Sequence, residues 1–222
     1  MKQISNIVII TVVVCCLMMG FVDGILSPPY AIKSAIKAIL FFLLPAVLIY
    51  TCKLPKVQVF ALRKKAILTG LAMGILTFVL IVGLYAGIGN HLDLQGIPAA
   101  LESNGGITKD NFLFVGLYIA FCNSFLEEFF FRGFAFLSLK RTTNLTLSHC
   151  FSAGAFALYH CAFMGGWFSP ALFALTVVAL FVCGLLFNYL NQKHECMWTS
   201  WLLHLFANLG INTIGMHLLG ML

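Results

Sequence analysis

Two adjacent carboxylates, Glu127 and Glu128, stand in a very apolar stretch of the chain and are followed four residues later by Arg132. The whole sequence contains seven Asp and Glu residues, so this pair is a large share of its acidic groups. Each charged side chain costs roughly 2.5–3.5 kcal/mol at the centre of a helix in lipid. A membrane helix that accepts this cost usually has a function at that point.

The angular positions on a helix separate the two acids. At about 100° per residue, Glu128 and Arg132 share one face, whereas Glu127 lies on the side of Asn123. We therefore predict that Glu128 neutralises Arg132 and that Glu127 faces an interior cavity unpaired. A carboxylate placed there could act as a general base or acid. The alternative is that all three groups form an ion cluster that only holds helices together.

Three further polar residues lie within apolar spans: His160, and the pair His204 and Asn208, which are four residues apart on one helix face. His160 could be a buried polar group with a satisfied hydrogen bond, and the pair could form hydrogen bonds between helices. At 1.5 Å per residue, the depths of Glu127, His160 and His204 differ by roughly 12 Å. Tilted or re-entrant helices are needed to bring them together.

The elements that carry these residues are membrane helices. The chain is 61% hydrophobic and 9% charged, whereas about 25% of the residues of a soluble domain are charged. We predict an all-α, polytopic transmembrane bundle with about seven spans, and a short interfacial helix between residues 89 and 110 as a possible eighth. The whole chain, 1–222, is interpreted as one domain with a catalytic half at 111–215. The predicted spans are 4–22, 31–50, 66–88, 111–139, 145–167, 169–190 and 197–219.

Cationic side chains between spans predict the orientation of the chain. Five of the thirteen Lys and Arg residues fall in one short loop, which indicates a cytoplasmic loop and a cytoplasmic amino terminus. We expect a multi-pass protein of the plasma (inner) membrane. The +6 net charge therefore does not indicate a nucleic-acid partner. Lys33 and Lys37, near the start of the second span, are expected to reach the interface. The loop cations are Lys53, Lys56, Arg63, Lys64 and Lys65.

Glycines and cysteines in the spans are interpreted as packing residues. Gly70, Gly74 and Gly83 in the third span are typical of close helix packing. Most of the eight cysteines lie in apolar runs, with no CxxC pair that would indicate a redox or metal site.

The three polar motifs together resemble those of the CPBP family, which includes type 2 CAAX prenyl proteases and bacteriocin-processing intramembrane proteases. The resemblance covers about residues 111–215 and rests on Glu127-Glu128-x-x-x-Arg132, Phe156-x-x-x-His160 and His204-x-x-x-Asn208. It implies hydrolysis of a peptide bond by a water that Glu127 and His160 hold and activate. His204 and Asn208 would stabilise the oxyanion, and Glu128 and Arg132 would support the site.

The resemblance also implies the partners: the lipid bilayer and a peptide substrate, either a prenylated CAAX-type tail or a bacteriocin or signal propeptide. It predicts no oligomeric state. We expect no cofactor, although Glu127, His160 and His204 could hold Zn²⁺ with a water in the open position. Two other functions stay open: a proton-coupled transporter using the buried ionisable chain, and a non-catalytic immunity or scaffold protein.

Overall fold

The computed structural model describes residues 2–52, 59–164 and 168–222, and within these ranges the regular structure is entirely helical. The predicted all-α, polytopic fold is therefore confirmed. Lys53, Lys56 and Trp167, which belonged to a predicted loop and a predicted span, lie outside the described residues. The helices are α1 (Lys2–Leu26), α2 (Tyr30–Thr51), α3 (Lys64–His91), α4 (Gly96–Gly105), α5 (Phe112–Leu139), α6 (Leu145–Phe163), α7 (Pro170–His194) and α8 (Trp198–Leu218).

Five helices are long and apolar enough to cross a membrane by length and composition: α1, α2, α3, α5 and α7. Helices α6 and α8, which are 19 and 21 residues long, carry the two predicted site histidines. The described chain thus has seven long helices, which equals the predicted number of spans. Only five of them meet both criteria for crossing a membrane, so the predicted span count is approximate. Helix α4 is the predicted short helix between the third and fourth spans.

Helix α5, which carries both adjacent acids, is widened into π-helical turns at Ile119–Asn123 and Glu128–Phe136. In a π-helical turn the backbone hydrogen bond reaches five residues instead of four, as from the Ser124 N–H to the Ile119 carbonyl. Such turns occur frequently at functional sites. The two π-helical segments flank the short α-helical stretch Ser124–Glu127, so the acids lie at a junction in helix geometry.

Another π-helical turn, Ile39–Leu43, lies in α2 and ends two residues before Pro45. Proline has no N–H to donate, and its ring clashes with the carbonyl four residues earlier in a regular α-helix. The wider turn gives the ring room and turns Phe41 and Phe42 towards the aromatic side chains of α5.

The main core lies between α1 and the phenylalanine-rich second half of α5. Helix α1 contributes a buried stripe at spacings of four, three and four residues: Val8, Val12, Cys15 and Met19. Within the described ranges the cysteines are all free, and Cys15 packs as a small apolar side chain, as expected from its sequence context. The stripe packs in one cluster with Phe130, Phe131, Phe134, Ala135, Phe156 and Tyr159.

Helix α3 approaches α8 through its glycines. A Cβ atom added at Gly70 would lie 3.0 Å from the Leu202 side chain, and one added at Gly74 would lie 2.5 Å from the Phe206 ring. No atom of the described residues lies within 4 Å of the corresponding position at Gly83. The prediction of close packing is therefore confirmed for Gly70 and Gly74 and wrong for Gly83, which lies beyond the contact.

We expect Gly74→Ala to destabilise the bundle by about 1–3 kcal/mol, because overpacking of a filled interface forces neighbouring atoms to move. The added methyl would also lie 3.2 Å from the Leu202 carbonyl oxygen, which is backbone and cannot rotate away. Gly83→Ala is the matched control on the same helix and should be neutral or slightly stabilising. Thermal unfolding of both variants in detergent tests the expectation, and equal melting temperatures would contradict it.

Candidate active site

Glu127, His160 and His204 come from three different helices and meet inside the bundle. The Nε2 atom of His160 lies 3.6 Å from Glu127 Oε2, and the Nε2 atom of His204 lies 3.7 Å from the same oxygen. Helices α5, α6 and α8 therefore direct one carboxylate and two imidazoles at a common point. The packing of these three helices brings the side chains together, although the sequence indicated that their depths in the membrane differ.

Glu127 is not unpaired, which corrects the sequence prediction. Its Oε1 atom accepts a hydrogen bond from Lys37 Nζ at 2.5 Å and another from Asn123 Nδ2 at 3.0 Å. Its Oε2 atom accepts no hydrogen bond from the described part of the chain. The two oxygens thus have different environments: one is held by an ammonium and an amide, and the other faces the two imidazoles.

Lys37 also lies elsewhere than predicted. Its side chain is 7% exposed and points into the bundle, rather than reaching the membrane interface. Nζ donates to Asn123 Oδ1 at 2.6 Å as well as to Glu127, and it lies 4.9 Å from the centre of the Tyr159 ring. An ammonium can stay buried when a carboxylate and an aromatic face replace its hydration.

Glu128 and Arg132 form the predicted ion pair, with 3.1 Å between Oε1 and Nη1 and both side chains fully buried. The guanidinium carbon lies 4.1 Å from the ring centre of Phe156 and 4.9 Å from that of Phe187. These aromatic faces replace water around the buried cation. The same Glu128 oxygen accepts a hydrogen bond from His204 Nδ1 at 2.9 Å, so Glu128 connects the ion pair to the candidate active site.

Hydrogen bonds at Nδ1 determine which nitrogen of each imidazole faces Glu127. His160 Nδ1 lies 2.7 Å from the Phe156 carbonyl oxygen, and His204 Nδ1 lies 2.9 Å from the Glu128 carboxylate. Both partners can only accept, so Nδ1 carries the proton in each ring. In the neutral form, both histidines therefore present an unprotonated Nε2 to the space beside Glu127 Oε2.

Phe156, four residues before His160 on α6, contacts the candidate active site through both its carbonyl and its ring. Its carbonyl orients His160, and its ring packs edge-on against both imidazoles, with centroid distances of 4.5 Å to His160 and 5.8 Å to His204. The Arg132 guanidinium also contacts this ring, 4.1 Å from its centre. The Phe156 ring therefore contacts His160, His204 and Arg132.

Exposure identifies the open side of the site. The side chains of His160 and His204 are 17% and 9% exposed, whereas that of Glu127 is 3% exposed. The imidazoles are therefore the more accessible side of the site, while the carboxylate stays covered. Burial also strengthens the electrostatic interactions of the carboxylate, because little water screens it.

Asn208 lies one helical turn beyond His204, where its Nδ2 donates to the Ile119 carbonyl at 3.3 Å. It forms no hydrogen bond with the other predicted site residues in the described part of the chain. Trp201 and Asn212 on α8 donate in the same way to the carbonyls of Phe121 and Gly116. These bonds join α8 to the first half of α5, and the role of Asn208 at the oxyanion stays a prediction.

Comparison with known proteins finds a family match for part of the chain. Residues 109–210 match the family model described as type II CAAX prenyl endopeptidase Rce1-like. We refer to these residues as the Rce1-like domain, after the family model that they match. The match of residues 109–210 agrees with the resemblance drawn from the three motifs, and the chain is a multi-pass membrane protein. Neither the curated proteins nor the solved structures include a match.

The Rce1-like domain does not contain every group that contacts Glu127. Lys37 comes from α2, more than 70 residues before the matched region begins. Sequence reasoning assigned this lysine to the interface because it stands near the start of its span. Lys33, which was also expected at the interface, is buried as well and pairs with Asp23 at 3.6 Å. No feature of the sequence therefore separated the lysine that contacts Glu127 from its neighbour one turn earlier.

Proposed function

We propose that this protein is an intramembrane endopeptidase that hydrolyses a peptide bond in a membrane-associated peptide. The substrate is a prenylated CAAX-type tail or a bacteriocin or signal propeptide. The observation that carries the proposal is the convergence of Glu127 Oε2 with the Nε2 atoms of His160 and His204. The family of residues 109–210 favours this function over a transporter or a non-catalytic protein.

The reacting water is placed between these three atoms. Separations of 3.6 and 3.7 Å are too long for direct hydrogen bonds but suit a bridge through one water molecule. The water donates to Glu127 Oε2 and to His160 Nε2, both of which have a free lone pair. Its oxygen then presents its own lone pair to a carbonyl carbon that enters from the imidazole side.

Hydrolysis then follows from the positions of these groups. Glu127 accepts one proton from the water as the oxygen bonds to the carbonyl carbon, and negative charge develops on the carbonyl oxygen. The C–N bond breaks as the intermediate collapses, and the amine nitrogen takes up the proton that Glu127 holds. General base catalysis of this kind contributes about 10²–10⁴-fold to the rate.

His204 differs from His160 in what lies behind it. The Nδ1–H of His204 donates to the Glu128 carboxylate, whereas that of His160 donates to a neutral backbone carbonyl. A carboxylate behind an imidazole stabilises the imidazolium form. His204 is therefore placed to donate from Nε2 to the developing oxyanion once that nitrogen carries a proton, and we place Asn208 beside it as the second donor. A single donor of this kind contributes about 10²–10³-fold.

Zinc at Glu127, His160 and His204 is the alternative to a metal-free reaction. The donor types suit zinc, and hydrogen-bonded Nδ1 atoms are common behind metal-binding imidazoles. The charges do not suit it, because Lys37 already neutralises Glu127 and Arg132 already neutralises Glu128. A dication would bring two uncompensated positive charges into a buried site.

We therefore expect hydrolysis to be insensitive to metal removal. Dialysis against EDTA and 1,10-phenanthroline should leave the rate within about twofold of the untreated enzyme, compared with the more than tenfold losses typical when a metal site is disturbed. Elemental analysis of the purified protein should find far less than one zinc per chain. A loss of activity that added Zn²⁺ restores would contradict the metal-free mechanism.

The function is tested with purified protein in proteoliposomes and three peptides: a farnesylated CAAX peptide, the same peptide without the lipid, and a membrane-bound propeptide. The assay is run in H₂¹⁸O, and mass spectrometry identifies the cleavage products. An endopeptidase produces two fragments with one ¹⁸O in the new carboxyl group. Proton-driven flux without cleavage would instead support the transporter, and neither activity would support a non-catalytic role.

We place the protein in the plasma (inner) membrane with a cytoplasmic amino terminus. The orientation is argued from the concentration of cations in the loop before α3 and at the end of α5, where Lys140 and Arg141 both pair with Glu195. Cytoplasmic loops carry the excess of Lys and Arg in membrane proteins. Labelling of single cysteines introduced in these loops tests the orientation.

A further inference from the structure

Helix α2 inserts a cation into a site whose other parts all come from α5, α6 and α8. Lys37 Nζ contacts Glu127 Oε1 at 2.5 Å and Asn123 Oδ1 at 2.6 Å, and the lysine lies outside residues 109–210. The side chain is 7% exposed and that of Glu127 is 3% exposed. An interaction this deeply buried is little weakened by solvent or salt.

Aromatic packing holds α2 in the register that this contact needs. The Phe41 ring, one turn after Lys37, stacks on Phe130 with a centroid distance of 4.0 Å and an interplanar angle of 8°. The Phe42 ring contacts Phe129 at 4.8 Å. Both phenylalanines lie in the π-helical turn Ile39–Leu43, so this turn aligns Lys37 with the acid that precedes Phe129 and Phe130 by two or three residues.

Lys37 and Asn123 together determine the orientation of the Glu127 carboxylate. Both occupy Oε1, which leaves Oε2 directed at the imidazoles of His160 and His204. The Asn123 amide uses its oxygen towards Lys37 and its nitrogen towards Glu127. The three side chains thus form a closed ring of hydrogen bonds in which rotation of the carboxylate would break two contacts.

Each of the two adjacent acids has its own counter-ion. Glu128 has Arg132 as its counter-ion at 3.1 Å, and Glu127 has Lys37. The two imidazoles also face Glu127, at 3.6 and 3.7 Å. Lys37 is therefore the permanent cation that contacts Glu127 directly among the described residues.

We propose that Lys37 is a positioning residue of the active site, which keeps Glu127 ionised and turns its Oε2 towards the reacting water. This inference rests on the proposed peptidase function. It makes α2 a required part of the active site, although the Rce1-like domain begins only at residue 109. Lys37 acts through Glu127 and does not contact the substrate.

The test compares Lys37→Met with Lys33→Met. The methionine keeps an unbranched chain but removes the charge, and Lys33 is the matched control because it is buried one turn earlier and pairs with Asp23 at 3.6 Å. We expect Lys37→Met to lower kcat by roughly 10²-fold, the size of effect that follows a displacement of about 1 Å at a reacting group, with KM nearly unchanged. Lys33→Met should retain kcat.

Melting temperatures, which can be measured without enzymatic activity, accompany the kinetics. Lys37→Met and Glu127→Gln should each lower the melting temperature, and the double variant should lose less than the sum, because it leaves neither charge unpaired. Additive losses would overturn the ion pair. If Lys37→Met does not fold, Lys37→Gln replaces it in the same comparison, since the glutamine keeps a polar donor without the charge.

The outcomes separate this inference from the function on which it rests. If the wild type cleaves no peptide, or Glu127→Gln cleaves at the wild-type rate, the peptidase proposal fails. If the wild type is active, Glu127→Gln is inactive and folded Lys37→Met keeps the wild-type kcat, only the role of Lys37 fails. A lower kcat with additive stability losses also overturns it, since the effect would then not pass through Glu127.

Discussion

A Glu127→Gln variant is expected to hydrolyse the substrate about 10²–10⁴-fold more slowly than the wild type, because the amide cannot accept the proton of the attacking water. Glutamine keeps the size of the side chain and leaves an oxygen for Lys37 and Asn123 to donate to. The change therefore removes basicity with little change of shape. Initial rates on the cleaved peptide measure the effect.

Folding must be measured in the same variant, since the change leaves the Lys37 ammonium without its counter-ion. Removing one partner of a buried ion pair typically costs about 3–5 kcal/mol. The control Glu102→Gln neutralises an exposed acid in α4 and should keep both activity and melting temperature. Full activity in folded Glu127→Gln would exclude Glu127 as the base and with it the mechanism proposed above.

An Arg132→Met variant is expected to be the least stable single substitution at the site, with a loss of about 3–5 kcal/mol. Arg132 and Glu128 are both 0% exposed, so the variant would leave the Glu128 carboxylate buried without its cation. The guanidinium also fills the space between the rings of Phe156 and Phe187. Methionine fills part of that space but supplies no charge.

The double variant Glu128→Gln/Arg132→Met should recover much of the stability, because replacing both partners of a buried pair removes the unpaired charge. Arg141→Met is the control: Arg141 is 42% exposed and pairs with Glu195 at 3.6 Å, and exposed pairs contribute about 0–1 kcal/mol. Unfolding of the four proteins in detergent measures these differences. Arg132→Met as stable as Arg141→Met would contradict the importance of the buried pair.

Activity should not return with stability in that double variant. A glutamine at position 128 can still accept a hydrogen bond from His204 Nδ1, but it no longer stabilises the imidazolium form. The separation of the two readouts shows that Glu128 has two roles, one as the counter-ion of Arg132 and one as the orienting partner of His204. A merely structural ion cluster, the alternative left open by the sequence, would recover both together.

The sequence by itself determined the helical membrane fold and the pairing of Glu128 with Arg132. Composition alone excludes a soluble domain, and the four-residue spacing places this acid and this base on one helix face whatever surrounds the helix. The same local geometry placed Asn123 on the side of Glu127, where the two side chains form a hydrogen bond. Contacts within one helix depend on a period that the sequence displays directly.

The tertiary structure decided what lies opposite each face. Lys37 lies near the start of the second span, so the sequence predicted that it reaches the membrane interface. In the structure, the stacking of Phe41 on Phe130 places its ammonium against Glu127 instead. Likewise, the Nε2 atoms of His160 and His204 come within 4 Å of Glu127 Oε2 only because their helices pack as they do. Helix period is a local property, whereas register between helices depends on side-chain packing along the whole interface.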